Sequence, residues 1–63
     1  MNNFAEKLRA LRGEKSSKEV SSEIGISDST LRMYELGLRV PRDEIKIRLA
    51  DYYGTKVQDI FFS

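Results

Sequence analysis

The sequence predicts an all-α fold, a compact domain of five short helices. Apolar residues recur at helical spacing in five segments of the 63-residue chain, and we find no segment with the pattern of a strand. Serine, threonine or asparagine precedes several of these segments and glycine follows them, as helix caps require. Short connections favour a compact bundle. A chain of this length forms one domain, which we place at residues 1–63.

The first helix has a cap, a buried stripe and an end signal. Asn3 can cap its start, and Gly13 can end it. Phe4, Leu8 and Leu11 lie at helical spacing, so we expect them to face the core.

The second helix is joined to the third by an unusually tight turn. Ser16 begins the second helix and forms a capping box with Glu19, while Ser27 caps the third. Only Gly25 and Ile26 lie between the two helices, so they must cross at a steep angle. This pattern predicts a helix-turn-helix over about residues 16–36, whose second helix can enter the major groove of DNA.

The third helix is amphipathic. Leu31 and Tyr34 are predicted to face inward. The residues left facing outward are Asp28, Ser29, Arg32 and Met33.

Two further helices follow a loop over residues 36–41. The fourth covers residues 43–53 and ends at Gly54, and Thr55 with Gln58 predicts a capping box for the fifth. The side chains expected to be buried are Ile45, Leu49, Ala50 and Tyr53 on the fourth helix and Val57, Ile60 and Phe61 on the fifth.

Composition narrows the possible functions. The chain has no cysteine and no histidine, which excludes disulfides, thiolate metal sites and histidine-dependent catalysis. We expect no enzyme, no metal, no cofactor and no small-molecule ligand. The net charge is only +1, but residues 1–18 hold five basic and two acidic residues beside the second helix. These charges could face phosphates or could simply be solvated.

No pattern in the sequence predicts export or membrane insertion. The longest apolar run, residues 60–62, is far shorter than the roughly 20 residues that a membrane span needs. Residues 1–3 do not begin a signal peptide. We therefore expect a cytoplasmic protein.

Three segments resemble a known family. They are Gly25-Ile26-Ser27, Ser29-Thr30-Leu31 and Tyr34-Glu35-Leu36-Gly37-Leu38-Arg39-Val40-Pro41. The last contains the most specific pattern, Glu-x-Gly-x-Arg-x-Pro. Over about residues 4–62 the chain resembles the Cro and phage-repressor type of helix-turn-helix proteins, the Xre family. The resemblance implies a transcriptional regulator, a repressor, that binds operator DNA as a homodimer.

The family places base-contacting side chains on the outward face of the third helix. By resemblance these are Ser29, Arg32 and Met33, and Asp28 beside them is a further candidate. Arg32 could donate two hydrogen bonds to guanine, Met33 could touch a thymine methyl group, and Ser29 could serve a base or a phosphate. Asp28 could accept from a cytosine amino group, although its place in the first helical turn also suits helix stabilisation.

Five residues are predicted to contact phosphates: Lys15, Ser17, Lys18, Arg39 and Arg42. The family contacts the DNA backbone at the position of Arg39. The backbone amides of Ser17 and Lys18 could hold a phosphate at the positive end of the second helix. Ser17 stands where the family has glutamine, which shortens its reach.

Three residues are assigned to structure. Gly25 provides the turn, and the resemblance implies an ion pair between Arg12 and Glu35 that ties the first helix to the third. Ser21, where the family has alanine, is still small enough for close helix crossing.

Ile60, Phe61 and Phe62 are assigned to a dimer interface. One alternative is that these residues serve only the core. Three consecutive side chains on a helix cannot all face inward, however, so we expect one of them to remain exposed. A dimer formed here would set two third helices roughly 34 Å apart on DNA. We expect no ligand-sensing domain after the last helix, so that regulation would come from protein concentration, a partner or proteolysis.

A second hypothesis is a protein-interaction module, such as an antirepressor or a regulator subunit, that keeps the fold without specific DNA binding. The near-neutral net charge, the carboxylate of Asp28 and the apolar carboxyl-terminal residues favour it.

Overall fold

The computed structural model describes residues 3–62, so residues 1, 2 and 63 of the expected domain lie outside the described residues. Five helices follow one another: α1 Phe4–Arg12, α2 Ser17–Ile24, α3 Asp28–Glu35, α4 Asp43–Tyr53 and α5 Val57–Phe61. No strand occurs within residues 3–62. The all-α, five-helix prediction is confirmed, and the Cα atoms extend over 27 × 22 × 22 Å.

Side-chain caps fix where the first three helices begin. Asn3, Ser16 and Ser27 each accept a hydrogen bond from the backbone amide three residues further on, at 3.2, 3.0 and 3.1 Å. Each bond satisfies an amide that a helix start leaves without an internal partner. These three predicted helix starts are confirmed.

Backbone hydrogen bonds hold the turn between α2 and α3. Gly25 adopts the left-handed conformation at φ 87°, which costs other residues more. The amides of Gly25 and Ile26 both donate to the carbonyl of Ser21, at 2.9 and 3.0 Å. Ser21 itself is buried, as a close approach of neighbouring helices requires. The turn therefore sets how α3 crosses α2.

The core lies where the five helices meet. α1 packs on α3 and α5, α2 packs on α3 and α4, and α4 packs on α5. One cluster of buried side chains draws on every helix: Leu8, Val20, Ile24, Leu31, Tyr34, Ile45, Leu49, Ala50, Ile60 and Phe61. Ile26 from the turn is partly buried against it. The inner face of α3 is thus anchored, and its outer face is left uncovered.

Two local predictions were wrong. Leu11 is 39% exposed, because Ala5, Leu8 and Arg12 form the inward stripe of α1 and Leu11 lies beside it. The capping box at Thr55 is absent, since α5 begins after Lys56 and has no side-chain cap. The amide of Thr55 instead donates to the carbonyl of Ala50 and so completes the end of α4.

Candidate nucleic-acid interface

The outer face of α3 carries three exposed side chains. Ser29, Arg32 and Met33 are exposed, while Leu31 and Tyr34 on the same helix are buried. Met33 is 42% exposed, so its flexible thioether side chain is accessible to a partner. The hydroxyl of Ser29 lies 3.2 Å from the hydroxyl of the capping Ser27. The face is therefore short and combines hydroxyl, cationic and apolar groups.

Asp28 differs from its neighbours on α3. It is half-buried, and its Oδ1 atom is enclosed without a hydrogen-bond partner among the described residues. A buried acceptor without a donor costs free energy. Because this oxygen is enclosed by the protein, a contact with cytosine would have to come from the other carboxylate oxygen or after a rotation of the side chain.

Two arginines flank the start of α3. Arg39, from the loop between α3 and α4, and Arg42, the residue before α4, line one pocket together with Ser27, Thr30 and Glu44. The loop thus brings two cations beside the amino end of α3, where the groove wall of a bound duplex would carry phosphates.

The basic residues between α1 and α2 take different positions. Lys18 is exposed on the first turn of α2, and Ser17 is half-buried. Lys15 is held against the end of α4, where its Nζ atom lies 4.8 Å from the ring centroid of Tyr52 and donates to the Tyr52 hydroxyl at 3.4 Å. Lys15 is exposed, and its ammonium has three N–H donors, so the bond to Tyr52 leaves donors for a phosphate.

A cleft between α1, α2 and α3 contains three arginines. We define the arginine cleft by the residues that line it: Arg9, Arg12, Ser17, Arg32, Glu35 and Leu36. Sequence reasoning missed Arg9, although it lies one helical turn before Arg12 on α1. It also placed Arg32 only against bases, whereas the structure places it beside two other arginines.

Arg12 and Glu35 lie in contact inside this cleft. The Arg12 Nε atom donates to Glu35 Oε2 at 2.8 Å, and its Nη1 atom donates to the carbonyl of Lys15, also at 2.8 Å. The hydrogen bond to Glu35 raises the pKa of Arg12, and nearby Tyr53 and Asp28 act in the same direction. Arg9 also reaches this corner, because its guanidinium donates to the backbone carbonyl of Glu35.

The carboxyl-terminal apolar residues separate into two groups. Ile60 and Phe61 are buried in the core, so of the three residues assigned to a dimer interface only Phe62, at 67% exposed, is available to a second copy. Phe62 lines a groove with Asp43, Lys46, Ile47 and Val57. Ile47 is exposed, and the sequence analysis did not assign it to this surface. Its position outside the buried stripe of α4 was the signal that could have indicated it.

Lys46 positions the exposed ring at this groove. Its Nζ atom lies 4.9 Å from the ring centroid of Phe62 and 5.4 Å from that of Phe61. Such cation–π contacts hold a ring that the core does not enclose. Within residues 3–62, no acidic cluster could hold a metal ion, and no helix is long and apolar enough to cross a membrane.

The fold and the uncovered face of α3 define a helix-turn-helix DNA-binding domain. Residues 3–60 match the family described as helix-turn-helix domain, and the chain belongs to this family. It is similar to the cryptic phage CTXphi transcriptional repressor RstR of Vibrio cholerae, with 34% identity over 59 residues. That match covers 90% of this chain and 53% of RstR.

A solved structure supports the same assignment. The solution structure of the SOS-response transcriptional repressor LexA from Eubacterium rectale superimposes with a TM-score of 0.86 at 30% identity. The match covers 92% of this chain and 64% of that LexA chain. The predicted resemblance to repressors of the Cro and phage type is confirmed. The chain spans only about half to two-thirds of these two proteins.

Proposed function

We propose that this chain is a sequence-specific transcriptional repressor that binds operator DNA as a dimer, with α3 in the major groove. The observation that carries the proposal is the uncovered face of α3, which has arginines at both ends. Ser27 and Gly25 fix the start of this helix, and the arginine cleft lies beside its last turn. The similarity to RstR, a phage transcriptional repressor, supports repression as the outcome.

Base recognition is assigned to the outer face of α3. Ser29 can donate to or accept from a base edge, and Met33 can pack on a thymine methyl group. Both side chains are exposed and lie one helical turn apart, so they can contact neighbouring base pairs. Asp28 can add a contact with a base amino group only if its carboxylate turns outward.

Phosphate contacts are assigned to the cations around α3. Arg39 and Arg42 lie at its amino end, and Lys18 and the amide of Ser17 lie at the start of α2. Such contacts supply affinity and register without sequence information. Lys15, exposed beside Tyr52, can add a further phosphate contact.

Dimerisation is assigned to the groove that contains Phe62. A protruding ring beside an apolar groove suits a two-fold interface, because each copy can offer its ring to the groove of the other. If the α3 helices of the two copies are roughly 34 Å apart, each lies roughly 17 Å from the two-fold axis. Cα dimensions of 27 × 22 × 22 Å allow this distance. We assign all of this to one DNA-binding domain over residues 1–63.

Fluorescence anisotropy tests the proposal. Duplexes selected from a random library should bind with nanomolar to submicromolar affinity, at two protein chains per duplex, and log affinity should fall steeply with log salt. Competition with scrambled duplex measures specificity. Equal binding to selected and scrambled DNA, or no dependence on salt, would exclude the proposal and leave a protein-interaction module.

A further inference from the structure

The arginine cleft has more basic than acidic residues in its lining. Three guanidinium groups line it, from Arg9, Arg12 and Arg32, and Glu35 is the only carboxylate among the lining residues. Arginine remains charged at any physiological pH. An anion bound in the cleft would be attracted by the excess of basic groups.

The donors in the cleft are unequally used. Arg12 is committed, because it bonds to the Glu35 carboxylate and to the Lys15 carbonyl. Arg9 uses one nitrogen, Nη1, on the Glu35 carbonyl. The guanidinium of Arg32 makes no hydrogen bond or ion pair with any of residues 3–62. A guanidinium carries five N–H donors, so Arg9 and Arg32 retain donors for a ligand.

The position of the cleft indicates where the anion comes from. Ser17 is the first residue of α2, and Arg32 lies on the exposed face of α3, so the cleft opens between the two helices of the helix-turn-helix. With α3 in the major groove, this opening faces a strand of the DNA backbone. Ser17 is small and half-buried, which leaves room in the cleft.

We propose that the arginine cleft binds a DNA backbone phosphate. Arg9 and Arg32 donate to its oxygens, the Ser17 hydroxyl adds a third donor, and Arg12, held by Glu35, forms the fixed wall. Planar guanidinium groups are well suited to paired hydrogen bonds with phosphate. Arg32 is therefore a backbone-positioning residue, and base selection is left to Ser29 and Met33. The proposal rests on the DNA binding proposed above.

The test is Arg32→Ala, measured on the selected operator and on a set of duplexes with single base changes. We expect affinity to fall about tenfold on all of them alike, as for a lost charge-assisted hydrogen bond. The slope of log affinity against log salt should fall by about one. Because Arg32 is exposed and has no partner in the described chain, the variant should melt at the wild-type temperature. Arg9→Ala should give the same uniform loss, and Lys56→Ala, outside the cleft, should change neither quantity.

A different pattern would overturn the proposal. If Arg32→Ala removes discrimination at one base pair and leaves the salt slope unchanged, Arg32 contacts a base. If wild-type protein shows no sequence preference but Arg32→Ala still lowers the salt slope on generic duplex, the phosphate site stands and specific recognition fails. Titration of the arginine side-chain NMR signals with inorganic phosphate distinguishes a site for DNA phosphate from a site for the free anion. Saturation by free phosphate as tightly as by duplex would make this an anion site unrelated to DNA.

Discussion

Arg12 of α1 and Glu35 of α3 form an ion pair whose Nε–Oε2 distance is 2.8 Å, and the Glu35 side chain in it is only 5% exposed. The Arg12 side chain is 25% exposed and keeps a second bond, to the carbonyl of Lys15. Without Arg12, the Glu35 carboxylate would be buried and unpaired, whereas Arg12 without Glu35 would keep contact with water and with the Lys15 carbonyl. The pair also joins the last turn of α3 to α1 and forms one wall of the arginine cleft.

This asymmetry predicts unequal costs for removing either partner. Arg12→Met should destabilise the fold by about 3–5 kcal/mol, because it leaves a buried carboxylate without its cation. Glu35→Gln should cost less, about 1–2 kcal/mol, because Arg12 can still reach water and the Lys15 carbonyl. Urea unfolding followed by circular dichroism measures both values. Equal losses, or a larger loss for Glu35→Gln, would show that burial of the carboxylate does not dominate.

The two glycines that end α2 and α4 form a matched pair for testing the turn. Gly25 and Gly54 both adopt left-handed backbone conformations, at φ 87° and 69°. A Cβ atom at Gly54 would meet nothing within 4 Å, whereas one at Gly25 would lie 3.4 Å from the Arg48 guanidinium. Gly54→Ala should cost about 1–2 kcal/mol from backbone strain alone. Gly25→Ala should cost at least as much, because Arg48 also bonds to the carbonyl of Ile24.

Thermal and urea unfolding of the two alanine variants check this prediction. Only Gly25→Ala should also lower DNA affinity, since Gly25 sets the crossing of α3 on α2. Equal effects of both variants on DNA binding would contradict the role assigned to the turn.

Tyr53 should make the fold sensitive to alkaline pH. Burial raises the pKa of Tyr53 to about 12, and the negative charge of Glu35 acts in the same direction. An unfolded tyrosine ionises at about pH 10, so the folded state holds this proton more tightly. The contribution of Tyr53 to stability is then fully present below about pH 10 and declines as pH rises toward 12.

Tyr53→Phe should remove the part of the stability loss at alkaline pH that ionisation of Tyr53 causes. The Tyr53 hydroxyl is buried without a hydrogen-bond partner among residues 3–62, so its removal should not lower stability at neutral pH. Urea unfolding between pH 8 and pH 11 measures the effect. Tyr52→Phe is the control, because it leaves Tyr53 in place and should keep the alkaline loss. Parallel pH curves for wild type and Tyr53→Phe would refute the prediction.

Much of the fold could be predicted because its signals are local. A capping serine, a left-handed glycine and an apolar residue every three or four positions act within one helical turn of the residues they affect. The starts of α1, α2 and α3 and the bounds of α4 follow from such signals. Local signals fail at Thr55, which the sequence predicts to cap α5. The Thr55 amide instead bonds to the carbonyl of Ala50 and completes the end of α4 at Gly54.

The parts of the candidate site that the sequence did not predict depend on contacts between helices. Nothing near Arg9 indicates that it lies beside Arg32, since 22 positions of sequence separate them and only the packing of α1 on α3 brings them together. The same packing turns Leu11 outward. Phe61 and Phe62 are adjacent in sequence, yet one enters the core and the other does not, because the short α5 presents only one side to α1 and α4.

Because we assign Arg32 to a phosphate and Met33 to a base, we predict that Met33 contributes specificity without adding to the salt dependence of binding. Met33 is uncharged and exposed on the outer face, so in the proposed complex its contribution would come from packing on a thymine methyl group. Met33→Ala should reduce the preference for thymine at one base pair by about 1 kcal/mol, roughly fivefold, and leave the salt slope unchanged. Competition binding with duplexes that carry uracil in place of each thymine locates the contact, because uracil lacks only the methyl group. Leu38→Ala is the control, since this exposed apolar side chain lies in the loop after α3 and should leave base preference intact. A uniform loss of affinity for every duplex with Met33→Ala would mean that Met33 does not select a base.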